Sequence, residues 1–423
     1  MGMTTFLLSN GLRVLLDDSA SSDVVYAGVA IASGTRHELD SESGMAHLVE
    51  HMTFKGTTTR TSRQISNYLE SVGGELNAYT SKEETIYYAA FDRQHLRRAL
   101  TLLLDITFCS THPQHELEHE REVVIDEIES YHDSPAELIY DDFEALLFPN
   151  HPLGRNILGD AKRLRQYTSS DLLAFTSRCY HPSRALLFIK GRVKEAEIKR
   201  MMKGLDGADG ADGLNGSNGS NGQCGPLEPL EPLKPIQPIK PIEPIILSRS
   251  THQSHVMLGA LGYSMTDPRY VGLALLMNLL GGPAMNTRLG QALRERTGLV
   301  YAVEATATAY TDTGLWTIYF GCDHEDVKRC LRLVHHELHR LTTAPLSPKT
   351  LAAIKRQMCG QLAIAAENTE NTTLAMAKQY LLTGIIRDLS QRQQEINAIT
   401  PDFLHQIALE TFQPTSITTL IYQ

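Results

Sequence analysis

The sequence predicts an α+β protein of two homologous halves, each an antiparallel or mixed β-sheet packed with helices, a duplicated αβ roll. Three observations lead there. The first is length: 423 residues exceed what one ordinary core organises and suit two domains of about 200 residues each. The second is a break in composition. From Gly204 the chain runs GLDGADGADGLNGSNGSNGQCG and then PLEPLEPLKPIQPIKPIEP, a flexible glycine-rich coil followed by a semi-rigid proline rod. This spacer, 204–246, separates residues 1–203 from 247–423; a proline ligand for a partner domain is the other reading of the same run. The third is an internal repeat. AYTSKEETIYYAAFD (78–92) and AYTDTGLWTIYFGCD (309–323) align without a gap, and each is followed by a helical period, RQHLRRALTLLLDI in one half and HEDVKRCLRLVHHEL in the other. Alternation in the strand-like segments suits antiparallel strands with one face on a layer of helices.

Composition narrows the function classes. An apolar fraction of 42% with 21% charged residues is that of an ordinary globular chain. A formal charge of −10 argues against a nucleic-acid surface and favours cationic partners. The six cysteines (109, 179, 224, 322, 330 and 359) form no C-x-x-C pair and read as free thiols of a reducing compartment. No apolar run approaches the ~20 residues that span a bilayer. The first residues, MGMTTFLLSNGLRVLLDD, read as two short strands around Asn10-Gly11 rather than as a signal peptide, and Phe6 stands where myristoylation requires Ser or Thr. The expectation from these features is a cytoplasmic chain with no membrane span.

The segment GMAHLVEHMTFKGTTTR (44–60) carries the chemistry. On a helix, His47 and His51 lie on one face with Cβ atoms about 5–6 Å apart, so both imidazoles can reach one ion. Glu50 lies one turn from His47 and beside His51, placed to reach a water at that ion without ligating it. The order H-x-x-E-H thus keeps the content of the commoner H-E-x-x-H, two ligands and one base on one helix. Met45, Leu48 and Met52 are spaced to pack inward. The alternative is three polar residues on a solvated helix face. A third ligand is needed for zinc, and HELEHEREVVIDEIESYHD (115–133) is a second helical pattern with Leu117, Val124 and Ile128 on one stripe. Glu120 and Glu127 lie two turns apart on a shared face. Either carboxylate completes a His₂Glu site with a fourth position open, the other then orienting a ligand from behind.

The motifs together resemble the pitrilysin or insulinase family of metallopeptidases, in particular its short branch of mitochondrial and bacterial processing peptidases. HLVEHMTFKGT is similar to the family's inverted zinc motif. ELNAYTSKEETIYYA, EREVVIDEI, HPLGRNILG and LRERTGLVYAV fall in the family's order and spacing, and the resemblance covers both halves outside the spacer. It implies one Zn²⁺ per chain held by His47, His51 and Glu127, which lies 76 residues after His51, with Glu120 as the supporting carboxylate. It implies Glu50 as general base, and Arg294 and Tyr301 of the second half as groups that reach the substrate. A bare reading of Tyr301 is a core aromatic at a strand start. Aligned on the repeat, the second half has no H-x-x-E-H, so the metal residues belong to the first half alone.

The resemblance further implies that extended peptide adds to an edge strand in GGELNAYTS, against Asn77 and Ala78. Glu137 and Asp141, i and i+4, stand where processing peptidases bind a substrate arginine. Ser134-Pro135-Ala136-Glu137 also reads as a capping box, which accounts for Glu137 without any substrate and leaves Asp141 unexplained. The expected activity is zinc-dependent endopeptidase action by a homodimer on unfolded peptides or presequence-like segments, extended and basic. The alternative is a non-catalytic structural subunit of the same fold.

Overall fold

The computed structural model describes residues 2–20, 22–205, 243–249 and 251–423. The spacer, apart from its first and last few residues, and Cys224 lie outside them. The other five cysteines are unpaired thiols. The chain folds as two compact units, each built around one sheet.

The first unit contains β1 (Met3–Leu7), β2 (Arg13–Asp17), β3 (Val24–Ile31), β4 (Glu75–Thr80), β5 (Thr85–Asp92) and β6 (Ala185–Lys190), ordered β1-β2-β6-β3-β5-β4. Only the β2–β6 pair is parallel; β6–β3, β3–β5 and β5–β4 are antiparallel. The second sheet comprises β7 (Ile245–Leu247), β8 (Ser254–Gly262), β9 (Val300–Ala309), β10 (Gly314–Cys322) and β11 (Thr418–Tyr422), ordered β7-β11-β8-β10-β9. Its one parallel pair, β7–β11, is followed by three antiparallel ones. The duplication read from the sequence is therefore a duplication of topology: β2-β6-β3-β5-β4 and β7-β11-β8-β10-β9 have the same order and the same polarity. In both, the strand that opens the repeated hairpin, β4 or β9, lies at the sheet edge.

One face of the first sheet is covered by α1 (Met45–Thr53), α2 (Ser62–Glu70), α3 (Leu96–Phe108) and α4 (Gln114–His132). Met45, Leu48 and Met52 of α1 are fully buried, as their spacing predicts, and so is the α4 stripe Leu117, Val124 and Ile128. Such stripes are what a helix must bury to be held on a sheet.

The opposite faces are closed in a way the spacer did not foretell. Helix α5 (Pro135–Leu147) packs Leu138, Ile139, Phe143 and Leu147 with Met257, Leu315, Leu420 and Tyr422 of the second unit. In exchange, the helix Thr369–Thr383 lays Met376, Ala377, Tyr380 and Leu381 on Leu15, Ala30, Ile86, Leu186 and Phe188 of the first sheet. Its Lys378 Nζ lies 2.6 Å from the fully buried carboxylate of Glu84. The division at 203 and 247 thus describes the repeat but not the packing units: residues 130–154 belong with the second and 368–386 with the first. A spacer marks a boundary in the sequence; which helix covers which sheet is decided by apolar contacts far apart in sequence.

Two histidines outside the metal motif are held uncharged. Burial pushes His112 down to about 4. His37 is pushed down to about 3, first by burial and then by the charges of Arg184, Arg36 and Arg178. Both folded values lie below the ~6.5 of an unfolded histidine, so their contribution is complete above pH 6.5 and is lost as pH falls. Between pH 5.5 and 4.5 each of these two histidines should add about one proton to the uptake on unfolding and lower stability by about 1.4 kcal/mol per pH unit, with the raised carboxyl of Glu38 acting in the opposite sense. Urea midpoints measured from pH 7 to 4.5 test this, and a flat profile would contradict it.

Candidate metal centre

Helix α1 begins at Gly44, whose φ of 78° is a left-handed conformation. A Cβ there would lie 2.6 Å from the Leu158 carbonyl oxygen. Glycine therefore lets the segment around 158–159 press on the helix entry. The first N–H groups of a helix have no partner within it. Here the carboxylate of Glu38 accepts from the Gly44 and Ala46 N–H groups at 3.3 and 2.9 Å. Burial pushes the Glu38 carboxyl up to about 8, against the pull of those two bonds. Arg155, from the HPLGRNILG motif, in turn donates to the Glu38 carbonyl and to Asp40, so this motif clamps the loop that anchors α1.

From that anchored helix the two imidazoles emerge one turn apart, with ring centroids 4.6 Å from each other at 66°. His47 Nε2 lies 3.8 Å and His51 Nε2 3.6 Å from the same oxygen, Oε2 of Glu127 on α4. Donor atoms of the three residues all fall within 4.8 Å of one another. Tetrahedral zinc with bonds of about 2.0–2.1 Å spaces its ligand atoms roughly 3.3–3.4 Å apart, so the group needs to contract only slightly around an ion. Burial, then the neighbouring His51, pushes His47 down to about 3. An imidazole that stays neutral is the ligating form. Its Nδ1 is buried without a partner. Chemically and spatially, the set fits zinc.

Glu120 has a different place. One oxygen meets His51 Nδ1 at 2.9 Å and the other meets Lys55 Nζ at 2.5 Å. Burial works to raise its pKa, but these two bonds and charges outweigh it and hold the carboxyl below the usual range. For His51, burial works downward, while the Glu120 bond and the charges of Glu120, Glu50 and Glu127 carry it upward overall. The Glu120 bond fixes the tautomer that leaves Nε2 turned to Glu127.

Glu50 is mostly enclosed, and its Oε2 has no hydrogen-bond partner. Burial raises its pKa, opposed by a hydrogen bond from Thr80 and by His51, and reinforced by Glu127. A carboxyl moved upward with a free oxygen is suited to exchanging a proton. Thr80 ends the edge strand β4, on which Asn77 and Ala78 pair with Tyr88 and Tyr87 of β5. The other edge of β4 has no partner strand among the described residues.

The remaining predicted residues belong to the second unit. Arg294 lies in the π-helical turn Gly290–Glu295, its Nε 2.9 Å from Glu295. Tyr301, on β9, is 90% exposed, which removes the core reading. Both line a cavity of about 740 Å³ with Gly281, Gly282, Met285 and Glu304. The repeat offset is 309 − 78 = 231, so Asn278, Gly281 and Gly282 stand where His47, Glu50 and His51 stand in the first unit. Glu137 and Asp141 lie on α5. Ser134 and Pro135 open that helix as expected, but Ser134 makes no capping hydrogen bond through its side chain and the box does not form. The two acids instead attend Tyr131, whose hydroxyl donates to the Glu137 carbonyl at 3.3 Å and bonds Asp141. Glu38, Lys55 and Thr80 are the parts that sequence reasoning missed. Lys55 was the most findable, one turn after His51 on the same face.

Comparison with known proteins divides the chain between residues 161 and 166. Residues 13–161 match the insulinase family, peptidase family M16, and residues 166–358 match the domain described as the peptidase M16 inactive domain. The chain belongs to peptidase family M16. It is 32% identical over 407 residues to an uncharacterized zinc protease, YmxG, of Bacillus subtilis, covering 96% of this chain and 95% of that one. An uncharacterized zinc protease of Rickettsia felis is 29% identical, covering 97% and 95%. In fold, the chain matches the crystal structure of a protease from Helicobacter pylori with a TM-score of 0.89 at 20% identity, covering 100% and 99%. It matches a peptidase M16 inactive domain from Pseudomonas fluorescens at 0.86 and 18%, covering 100% and 98%. No described helix is long and apolar enough to cross a membrane.

The anchoring of α1 is testable. Glu38→Ala leaves two N–H groups without their buried acceptor and should destabilise the fold by about 1–3 kcal/mol. It should also weaken metal retention, read by thermal unfolding and by zinc content after dialysis. Unchanged stability and retention would remove Glu38 from the centre.

Proposed function

We propose that this chain is a zinc-dependent endopeptidase acting on extended, unfolded peptides. The observation that carries the reading is the convergence of His47, His51 and Glu127 on one point beside an enclosed carboxyl, Glu50, with an unpartnered oxygen. One Zn²⁺ held by those three residues would supply Lewis acidity and a water acidified toward neutral pH. Glu50 takes a proton from the attacking water and returns it to the leaving amine as the C–N bond breaks and the C–O bond forms. Glu120, tied to Lys55, holds the His51 ring in place. Substrate backbone pairs along the open edge of β4, past Asn77 and Ala78, giving a grip that tolerates varied sequence. Arg294 and Tyr301 are assigned by the family resemblance as donors to the substrate.

A cytoplasmic homodimer and a preference for presequence-like basic peptides extend the same reading. Glu137 and Asp141 remain the candidates for a substrate arginine, the capping explanation of Glu137 having fallen away. A non-catalytic subunit is the competing reading, which the description of residues 166–358 as an inactive domain keeps in view.

The decisive experiment is metal analysis with cleavage of a basic, unstructured peptide by wild type and by Glu50→Gln. Wild type should carry one zinc per chain and cleave; Glu50→Gln should keep the metal and lose about 10²–10⁴-fold in kcat. Wild type with neither zinc nor cleavage would leave the non-catalytic subunit standing. For specificity, the double change Glu137→Gln with Asp141→Asn should raise KM for arginine-containing peptides and spare arginine-free ones. An equal loss on both would assign the two acids to the fold.

A further inference from the structure

Against a net charge of −10, one cavity of the first unit stands out because no carboxylate lines it. It measures about 620 Å³ and is walled by Arg60, Arg63, Tyr68, Ser71 and Arg98, with threonine and amide side chains between them. Arg63 and Tyr68 come from α2, and Arg98 from α3.

The three guanidiniums are not equivalent. Arg60 pairs with Asp105 at 2.5 Å, so its charge is already met. Arg98 donates to the Tyr68 carbonyl and, at 3.1 Å, to Ser71 Oγ. Both acceptors are neutral, and the Arg98 charge remains uncompensated. Arg63 has no ion pair and no side-chain hydrogen bond among the described residues, and no carboxylate stands across the cavity to meet it. The Ser71 hydroxyl accepts from Arg98, which leaves its own proton available to a third group.

Arg98 is also held in position. Tyr68 has two cations over its ring, the Arg60 carbon 4.6 Å and the Arg98 carbon 4.5 Å from the centroid. Arg98 is thus fixed by a stack, a carbonyl and a hydroxyl at once. Little ordering entropy is left to lose when an anion arrives, which is how a preformed site gains affinity. A solvated basic face on a helix would show mobile, separate cations rather than one clamped over an aromatic ring.

The chemistry of the missing partner follows from the donors. Guanidinium forks match oxyanions bidentately. A carboxylate offers two oxygens and one charge. A phosphoryl group offers three oxygens and close to two charges at neutral pH, enough to meet Arg63, Arg98 and Ser71 together. We propose that this cavity binds a phosphate-bearing small molecule, with Arg63 and Arg98 taking its phosphoryl oxygens and Ser71 donating a third bond. The site shares no residue with the metal centre, so its test does not depend on peptidase activity.

Calorimetric titration of the full chain with inorganic phosphate and with pyrophosphate at low ionic strength tests it. Saturable one-to-one binding is expected, weakening as salt is raised. Arg63→Gln, an exposed change that leaves the metal residues untouched, should cost at least tenfold in affinity, and Arg63→Lys less. No binding by wild type would overturn the proposal, as would equal affinity in Arg63→Gln, which would place the anion elsewhere. Binding of a glutamate-rich peptide without binding of either phosphate would make the surface a polypeptide contact instead. Sedimentation with phosphatidic acid vesicles, again without binding of soluble phosphates, would make it a membrane contact, and either result rejects the small-molecule site.

Discussion

Helix α1 has to do two opposed things, and the rest of the centre depends on how it reconciles them. One face buries Met45, Leu48 and Met52 in the core, which pins the helix rigidly to the sheet. The other presents two imidazoles and a carboxyl in a place poor in water, where a charge is costly. His47 meets that cost by staying neutral. His51 meets it by leaning on Glu120, and Glu120 by leaning on Lys55. Glu127, His51, Glu120 and Lys55 form one run of polar contacts in which each group is held by the next, and one end of the run opens toward an ion.

Rigidity at the start of α1 matters because the ligand positions are only one turn apart. A helix whose first turn frayed would shift His47 relative to His51 by more than a zinc bond tolerates. Glu38 removes that freedom. It reaches the N–H groups from six and eight residues upstream, and it can do so because Gly44 leaves room for the 158–159 segment to close over the entry. The same geometry explains why a motif as distant as HPLGRNILG keeps company with the metal residues: through Arg155 it holds the loop that holds the helix.

What could be read in the sequence was whatever depends on local period. The α1 and α4 stripes, the turn at Gly11 with φ 83°, and the two-fold hairpin followed by a helix all show as patterns of three to four or of two. What could not be read depends on loops returning through space. Glu38 looked like one acid among many in RHELDSESG, because nothing at a distance of six residues signals a cap. Ser134 looked like a capping serine, yet its φ and ψ of −110° and 84° accompany a helix start whose side chain makes no cap bond. The exchange of α5 for the helix 369–383 was hidden for a similar reason. Helix α5 is amphipathic, which says that a face will be buried but not on which sheet, and helix 369–383 carries little apolar period to read.

The repeat also shows why the metal residues occur once. In the second unit the helix equivalent to α1 ends at Gly281-Gly282 and packs against β9. A Cβ at Gly281 would lie 2.8 Å from the Ala305 nitrogen and 2.9 Å from the Ala305 Cβ, and one at Gly282 would lie 2.9 Å from the Asn278 carbonyl oxygen. A side chain at Gly281 would have to push β9 aside and one at Gly282 would meet the last turn of its own helix, so glutamate and histidine cannot simply be restored to these positions. The glycines leave instead the cavity bordered by Arg294 and Tyr301. On the same pattern of helix over edge strand, the first unit carries side chains at the crossing that can ligate. The second carries glycines there and has space instead, and the steric difference accounts for both outcomes.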